Sequence, residues 1–342
     1  MSTTASVTEP RDTEAAPRPS VLHRYILPGL EKYGLVVLFA LLLLFFAGAW
    51  DRPATFRSMD NIRAVLGTYS VPAILALAAI IPLVCGQFDL TVGPVAGLTA
   101  MATAGAFSNQ GGSLAVAIVI ALAIGIFVGV VNGFLVAYVK VNAFITTLGV
   151  SSLISGFIVL YAKGSTILVS NTTLTNLGSL NWFGIPRLVY IVLVVAALTY
   201  YMLEHTPVGR YLHSVGSNET AARLVGLSVE RLTFLSFVLS AALASIAGVL
   251  LLARNGSADQ QLGGLGLTLP ALAAAFLGAT AIKPGQFNVV GTLIAVLFVG
   301  FSLSGLTLNG ASDWVTDVFT GGTLVLAVAI STVVARHRAS SG

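Results

Sequence analysis

Between residues 33 and 335 the chain is a succession of apolar runs, many of them about 20 residues long, which is the length of a helix that crosses a bilayer. Lipid offers no partners to backbone N–H and C=O groups, so such runs must close their hydrogen bonds within helices. Only 9% of the residues are charged, where a soluble domain carries about 25%. The expected fold is an all-α integral membrane protein. Run lengths and loop breaks predict about ten transmembrane helices. They fall near 33–50, 68–85, 89–108, 114–138, 143–162, 185–203, 231–254, 267–282, 288–306 and 314–335. The third and eighth are rich in Gly or Ala, and the eighth is short.

Residues 1–32 differ in kind. They are rich in Ser, Thr, Pro and Ala with mixed charge, read as a disordered tail, and lack the pattern of a secretory signal. Residues 33–335 form the membrane domain, and 336–342 a short C-terminal tail. With both termini in the cytoplasm, eleven of the 17 Lys and Arg fall inside and six outside, as basic residues prefer. Trp50, Trp182 and Trp314 then all stand at outer ends, where indoles favour the interface. The cluster Arg52, Arg57 and Arg63 runs against this count, and an interfacial helix there would account for it. The longest outer loop is 163–186 and the longest inner one 204–230.

Several chemistries are excluded. The net charge of +4 belongs to loops that set orientation and does not call for nucleic acid. The single Cys85 forms no intrachain disulfide. The chain has no phosphate-binding G-x-x-x-x-G-K-[ST] loop, no metal-ligand spacing among His23, His205, His213 and His337, and no nucleophile–His–carboxylate set. No cofactor, no metal and no catalytic residue are expected; the chemistry left is transport without covalent steps.

The polar island 216–227, GSNETAARLVGL, interrupts this apolar chain. Asn218 or Ser217 is placed to cap a short helix with Glu219 in its first turn; Ala221 and Ala222 keep it slim and Gly226 ends it. Two readings are open: a helix that inserts into a groove of a soluble partner, or an amphipathic connector. Asp89 is the ionisable residue best placed to reach membrane depth, and it either caps the start of the third span or serves gating or solute binding. Asn132, Thr146, Thr147, Ser151 and Ser155 either line a polar pathway or hold helices together. Pro72, Pro82, Pro94 and Pro270 interrupt apolar runs, for packing kinks or for backbone that lines a cavity. The segments GQFDLTVG from Gly86 and GQFNVVG from Gly285 resemble each other.

Four ordered motifs carry a family resemblance. The run 206–232, TPVGRYLHSVGSNETAARLVGLSVERL, resembles the EAA-type coupling loop of ABC importer permeases in the version found in ribose-type sugar permeases. CGQFDLTVG at 85–93 is similar to the family's Gly-Gly-Ile-Asp-Leu-Ser-Val-Gly stretch, NGFLVAYVKVNAFITTLG at 132–149 to the segment ending in Phe-Ile-x-Thr-Leu-Gly, and 269–292 to its small-residue span and Gly-rich turn. The resemblance covers about 65–329, within the branched-chain amino acid/ribose permease superfamily. It implies the architecture of an ABC importer permease with broken or short helices, in a bacterial inner membrane. A cytoplasmic ABC ATPase would grip Glu219, Ala221, Ala222, Arg223 and Gly226. A periplasmic binding protein would deliver a small sugar or polyol, and a second permease copy would complete a homodimer. Gly86-Gln87-Phe88 departs from the family's Gly-Gly-Ile, so ribose itself does not follow. The alternative is an ion-coupled secondary transporter, for which only Asp89 and Asp317 offer carboxylates.

Overall fold

The computed structural model describes residues 27–48, 53–110, 113–169 and 171–340. The first 26 residues, Trp50 and Arg52 lie outside them. The described chain is nearly all helix: α1 (Leu27–Gly48), α2 (Pro53–Phe56), α3 (Met59–Val84), α4 (Val92–Gln110), α5 (Leu114–Ala137), α6 (Ala143–Ala162), α7 (Thr172–Ser179), α8 (Arg187–His205), α9 (Pro207–Ser217), α10 (Glu219–Leu224), α11 (Val229–Asn255), α12 (Leu265–Gly278), α13 (Val289–Leu308) and α14 (Asp313–Ser340). Two short antiparallel pairings stand among the loops: β1 (Ile167–Leu168) with β4 (Ser257–Ala258), and β2 (Asn181–Trp182) with β3 (Ile185–Pro186).

Among the described residues, six helices are long and apolar enough to cross a membrane: α3, α5, α6, α8, α11 and α13. The apolar parts of α1, α4, α12 and α14 are shorter, 10–17 residues. α4 and α12 are the third and eighth of the predicted spans. The Arg52–Arg63 segment holds the one-turn α2, and Arg63 already belongs to α3.

α3 and α11 form the centre. α3 is buried almost continuously from Val71 to Val84, with Pro82 buried and Pro72 half-buried. α5 lies against α11 through Gly125, Gly129 and Gly133, spaced four apart on one face. A methyl on Gly129 would stand 2.8 Å from the Phe237 carbonyl oxygen, and one on Gly133 2.9 Å from that of Phe234. Small residues let backbones approach this closely where no water drives helices together.

The helices define two ends. At one, α9 and α10 lie beside the start of α11, Lys283 pairs with Glu204, and Ile282 N donates to Lys32 O at 2.8 Å. At the other, the β1–β4 pair meets α4, Arg63 Nε donates to Gly184 O at 2.7 Å, and Arg254 Nη2 donates to Thr68 Oγ1 at 2.6 Å. Lys140, Arg223 and Lys283 thus sit at the α9–α10 end, and Arg63, Arg187 and Arg254 at the far end, the same sorting that the basic-residue count makes.

Candidate functional site: the α9–α10 surface and the broken segment before α4

The island 216–227 contributes the end of α9, the helix α10 and its exit turn. Thr206 starts α9, its Oγ1 accepting from Gly209 N at 3.3 Å, and Pro207 occupies the first turn, where a missing N–H costs nothing. Leu212 and Val215 bury one face of α9 while Tyr211 is exposed. Asn218 then separates α9 from α10 and caps the latter: Ala221 N donates to its Oδ1 at 2.9 Å. Ser217 is the last residue of α9 and plays no part in the cap. Gly226, at φ +84°, turns the chain out of α10, a backbone conformation that glycine adopts at no steric cost.

Of α10, only Ala222 is buried; Glu219, Ala221 and Arg223 face out. Arg223 reaches Glu219 at 3.0 Å and Glu230 at 2.6 Å, and Lys140 reaches Glu230 at 3.2 Å. These bonds, to Glu219 first and Glu230 next, hold the guanidinium above its ordinary pKa. Exposed ion pairs contribute little stability, because water screens them and ordering two long side chains costs entropy. Their effect is to set the pose of α10 against α11 and the turn between α5 and α6. Leu224 and Val225 complete the surface, 84% and 76% exposed. They were legible in the island as its adjacent apolar pair, but helical position alone did not say that they face outward.

The second part begins where α3 ends. Gly86, at φ +78°, turns the chain out of the helix, and residues 87–91 continue beside α11 with no regular secondary structure. Cys85 Sγ lies 3.8 Å from Thr233 Oγ1, and Asp89 Oδ2 accepts from Ser240 Oγ at 2.9 Å. Seven residues of helix separate those two contacts, so the segment climbs about 10 Å along α11. Asp89 is thus about 16 Å from the start of α11, near half the thickness of a bilayer core.

Asp89 is 1% exposed. Its Oδ1 accepts from Thr91 N at 2.8 Å and from Thr91 Oγ1. Asn132 Nδ2 donates to Thr91 Oγ1 at 3.0 Å. The first helical bond of α4 goes to Thr91 O, from Val95 N at 2.8 Å. Asp89 therefore stands one turn before the helix, braces its entry and bonds across to α11, which is a different task from capping. Pro94 lies in the first turn of α4, where it breaks no helical bond.

The N-terminus of α12 meets that of α4. Gly93 N donates to Thr268 Oγ1 at 3.1 Å, and a methyl on Gly93 would overlap Gly264 O and Thr268. Ser151 Oγ donates to Leu90 O at 3.0 Å, which gives the non-helical backbone a partner that lipid could not. Thr147 and Ser155 bond carbonyls of their own helix, Ala143 O and Ser151 O. Among the described residues no donor reaches Asn132 Oδ1 and no partner reaches Thr146 Oγ1. The two GQF segments also come together: Phe88 stacks on Phe276 at 6.0 Å between centroids, and Phe287 meets the same ring edge-on at 5.2 Å. Asn288, the counterpart of Asp89, caps α13 through Gly291 N at 2.7 Å.

Residues 61–328 match the family described as branched-chain amino acid transport system / permease component. The chain belongs to that family. Among its relatives, the ribose import permease protein RbsC of Escherichia coli K12 is 36% identical over 80% of this chain and 86% of its own length. The L-arabinose transport system permease protein AraH of the same strain is 32% identical over 87% and 89%. The autoinducer 2 import system permease protein LsrC of Photorhabdus laumondii is 29% identical over 80% and 81%. A permease component carries its solute unchanged, so this member of the family is a transport subunit and not an enzyme. The family match takes in every residue of both parts of the site, from the segment 85–91 to α9 and α10.

Proposed function

We propose that this permease is the membrane-spanning subunit of an ABC importer for a small sugar or polyol in a bacterial inner membrane, energised by a separate cytoplasmic ATPase. The observation that carries the reading is α10: a capped helix whose charged face is posed by ion pairs and which leaves Leu224 and Val225 bare beside them. Apolar side chains in a polar surface are what a partner's groove takes up. Glu219, Ala221, Ala222, Arg223 and Gly226 form that docking element within the segment 204–230.

The α9–α10 end then faces the cytoplasm, with both tails on the same side; α1 starts at Leu27 and α14 runs to Ser340, so the helices reach past the predicted domain bounds 33 and 335. The far end faces a soluble binding protein, and a second copy of the chain completes the pathway. Ten apolar segments thread the membrane in this reading, with α4 and α12 as two half-spans whose N-termini meet inside. Relatives named for ribose and L-arabinose import support a polyhydroxylated solute. Asp89, Asn132, Thr146, Thr147 and Ser151 mark its route, and the unpaired oxygens of Asn132 and Thr146 are the acceptors left for a hydroxyl.

Co-purification of the tagged chain from native membranes tests the reading. An ATPase subunit is expected in the wild-type preparation, and Glu219→Lys or Gly226→Asp should lose both it and solute uptake while the chain stays inserted. A preparation without an ATPase, or undiminished uptake in both variants, overturns the assignment.

A further inference from the structure

The docking surface and the buried carboxylate are separated in space, yet one backbone joint connects them. The last turn of α9 lies directly on the end of α3. A Cβ on Gly216 would overlap the Val84 carbonyl oxygen and lie 3.0 Å from its carbon and 3.1 Å from Gly86 N; a Cβ on Gly86 would stand 3.5 Å from Gly216 Cα. Each partner has a glycine there, so no side chain lies between the two backbones to absorb movement by changing rotamer. Gly86 N and Gln87 N are themselves tied back to α3, through Leu83 O at 3.0 Å and Pro82 O at 2.8 Å. Beyond the joint, the non-helical chain is gripped twice in quick succession, by Phe88 on Phe276 and by Asp89 on Ser240. A chain spans at most about 3.6 Å per residue, so the three steps from Gly86 to Asp89 keep the latch within about 11 Å of the joint. On the other side of Gly216, Asn218 caps α10, two residues away.

From this geometry we infer that Gly216 and Gly86 are the positioning residues that pass the place of the docked α9–α10 unit to the segment 85–91 and its Asp89 latch. The inference rests on the docking reading above and adds the route: displacement of α9 shifts the end of α3 backbone to backbone and loads the Asp89–Ser240 bond at the entry of α4. Gly216 touches neither the solute nor the ATPase in this role. Its substitution should leave docking in place and sever its consequence.

The protein's one cysteine supplies a reporter, since Cys85 sits at the joint and is 2% exposed. The experiment uses the whole transporter in membranes, with its ATPase and binding protein. It compares maleimide labelling of Cys85 with and without a non-hydrolysable ATP analogue, alongside uptake and ATPase co-purification. In the wild type, nucleotide should change the labelling rate several-fold. Gly216→Ala should still bring down the ATPase, lose that nucleotide response and slow uptake by about tenfold, whereas Ser217→Ala, at the exposed neighbour, should keep both. Wild-type labelling that ignores nucleotide in a complex that imports solute overturns the inference, and so does normal uptake by Gly216→Ala. If the wild type brings down no ATPase, the docking reading itself falls and this inference with it. Should Gly216→Ala fail to reach the membrane, wild-type labelling alone decides.

Discussion

Asp89 accepts hydrogen bonds from Thr91 N, Thr91 Oγ1 and Ser240 Oγ, and among the described residues no Lys or Arg pairs with it. A buried carboxylate without a basic partner is tolerable only when donors surround it, and the N-terminal dipole of α4 adds to them. Asp89→Ala would strand the Ser240 hydroxyl and the Thr91 donors, at a cost of about 1–3 kcal/mol for unsatisfied buried groups. The expected result is a lower Tm in detergent. Asp89→Asn keeps one oxygen for Thr91 but turns an NH2 group toward Ser240, so its Tm should fall between alanine and wild type. A thermal melt of all three by intrinsic fluorescence checks the order, and an alanine variant as stable as the wild type would remove the latch.

Six residues make α10 too short to be stable by propensity alone, so its shape depends on the Asn218 cap, the Gly226 turn and the ion pairs to α11. That is an economical way to present Leu224 and Val225. The double variant Leu224→Ser/Val225→Ser removes two exposed side chains and disturbs no packing. It should leave Tm unchanged while weakening ATPase binding by about tenfold or more, as loss of an interface anchor does. Titration of purified ATPase onto the permease in nanodiscs measures it, and unchanged affinity would move the anchor elsewhere on the α9–α10 surface. α4 and α12 illustrate a different economy. The N–H groups at the start of α4 are met by side chains, Gly93 N by Thr268 Oγ1 and Thr91 N by Asp89 Oδ1, with α12 supplying the threonine.

For the molecule as a whole, the sorting of basic residues in three dimensions bears on orientation. Thr220 on α10 and Phe183 beside Trp182 are exposed at opposite ends, the latter completely. In a Cys85→Ser background, Thr220→Cys should react with a membrane-impermeant maleimide only in inverted vesicles, and Phe183→Cys only in intact spheroplasts. The reverse pattern would invert the proposed topology and take α10 away from any cytoplasmic ATPase. Lys140, Arg223 and Glu230 also show why loop charges do more than orient a chain: they link α10 to the α5–α6 turn as well as to α11.

The apolar runs, the polar island with its cap at Ser217 or Asn218 and its Gly226 stop, and the paired GQF segments could all be read along the chain. Each depends on residues within a turn or two of one another, where spacing dictates which face is apolar and which N–H needs a cap. Even the weak third and eighth runs, poor in bulk and rich in Gly and Ala, carried the signature of α4 and α12. Other features joined residues too far apart for any local pattern to register. Asp89 and Ser240 are 151 positions apart, and Gly93 and Thr268 are 175. That Asp89 braces the entry of α4 from one turn outside it, that both GQF segments close on Phe276, and that Gly216 rests on the end of α3 follow from how α3, α11 and α12 pack. Periodicity determines which face of a helix is buried; only close packing determines which backbone it is buried against.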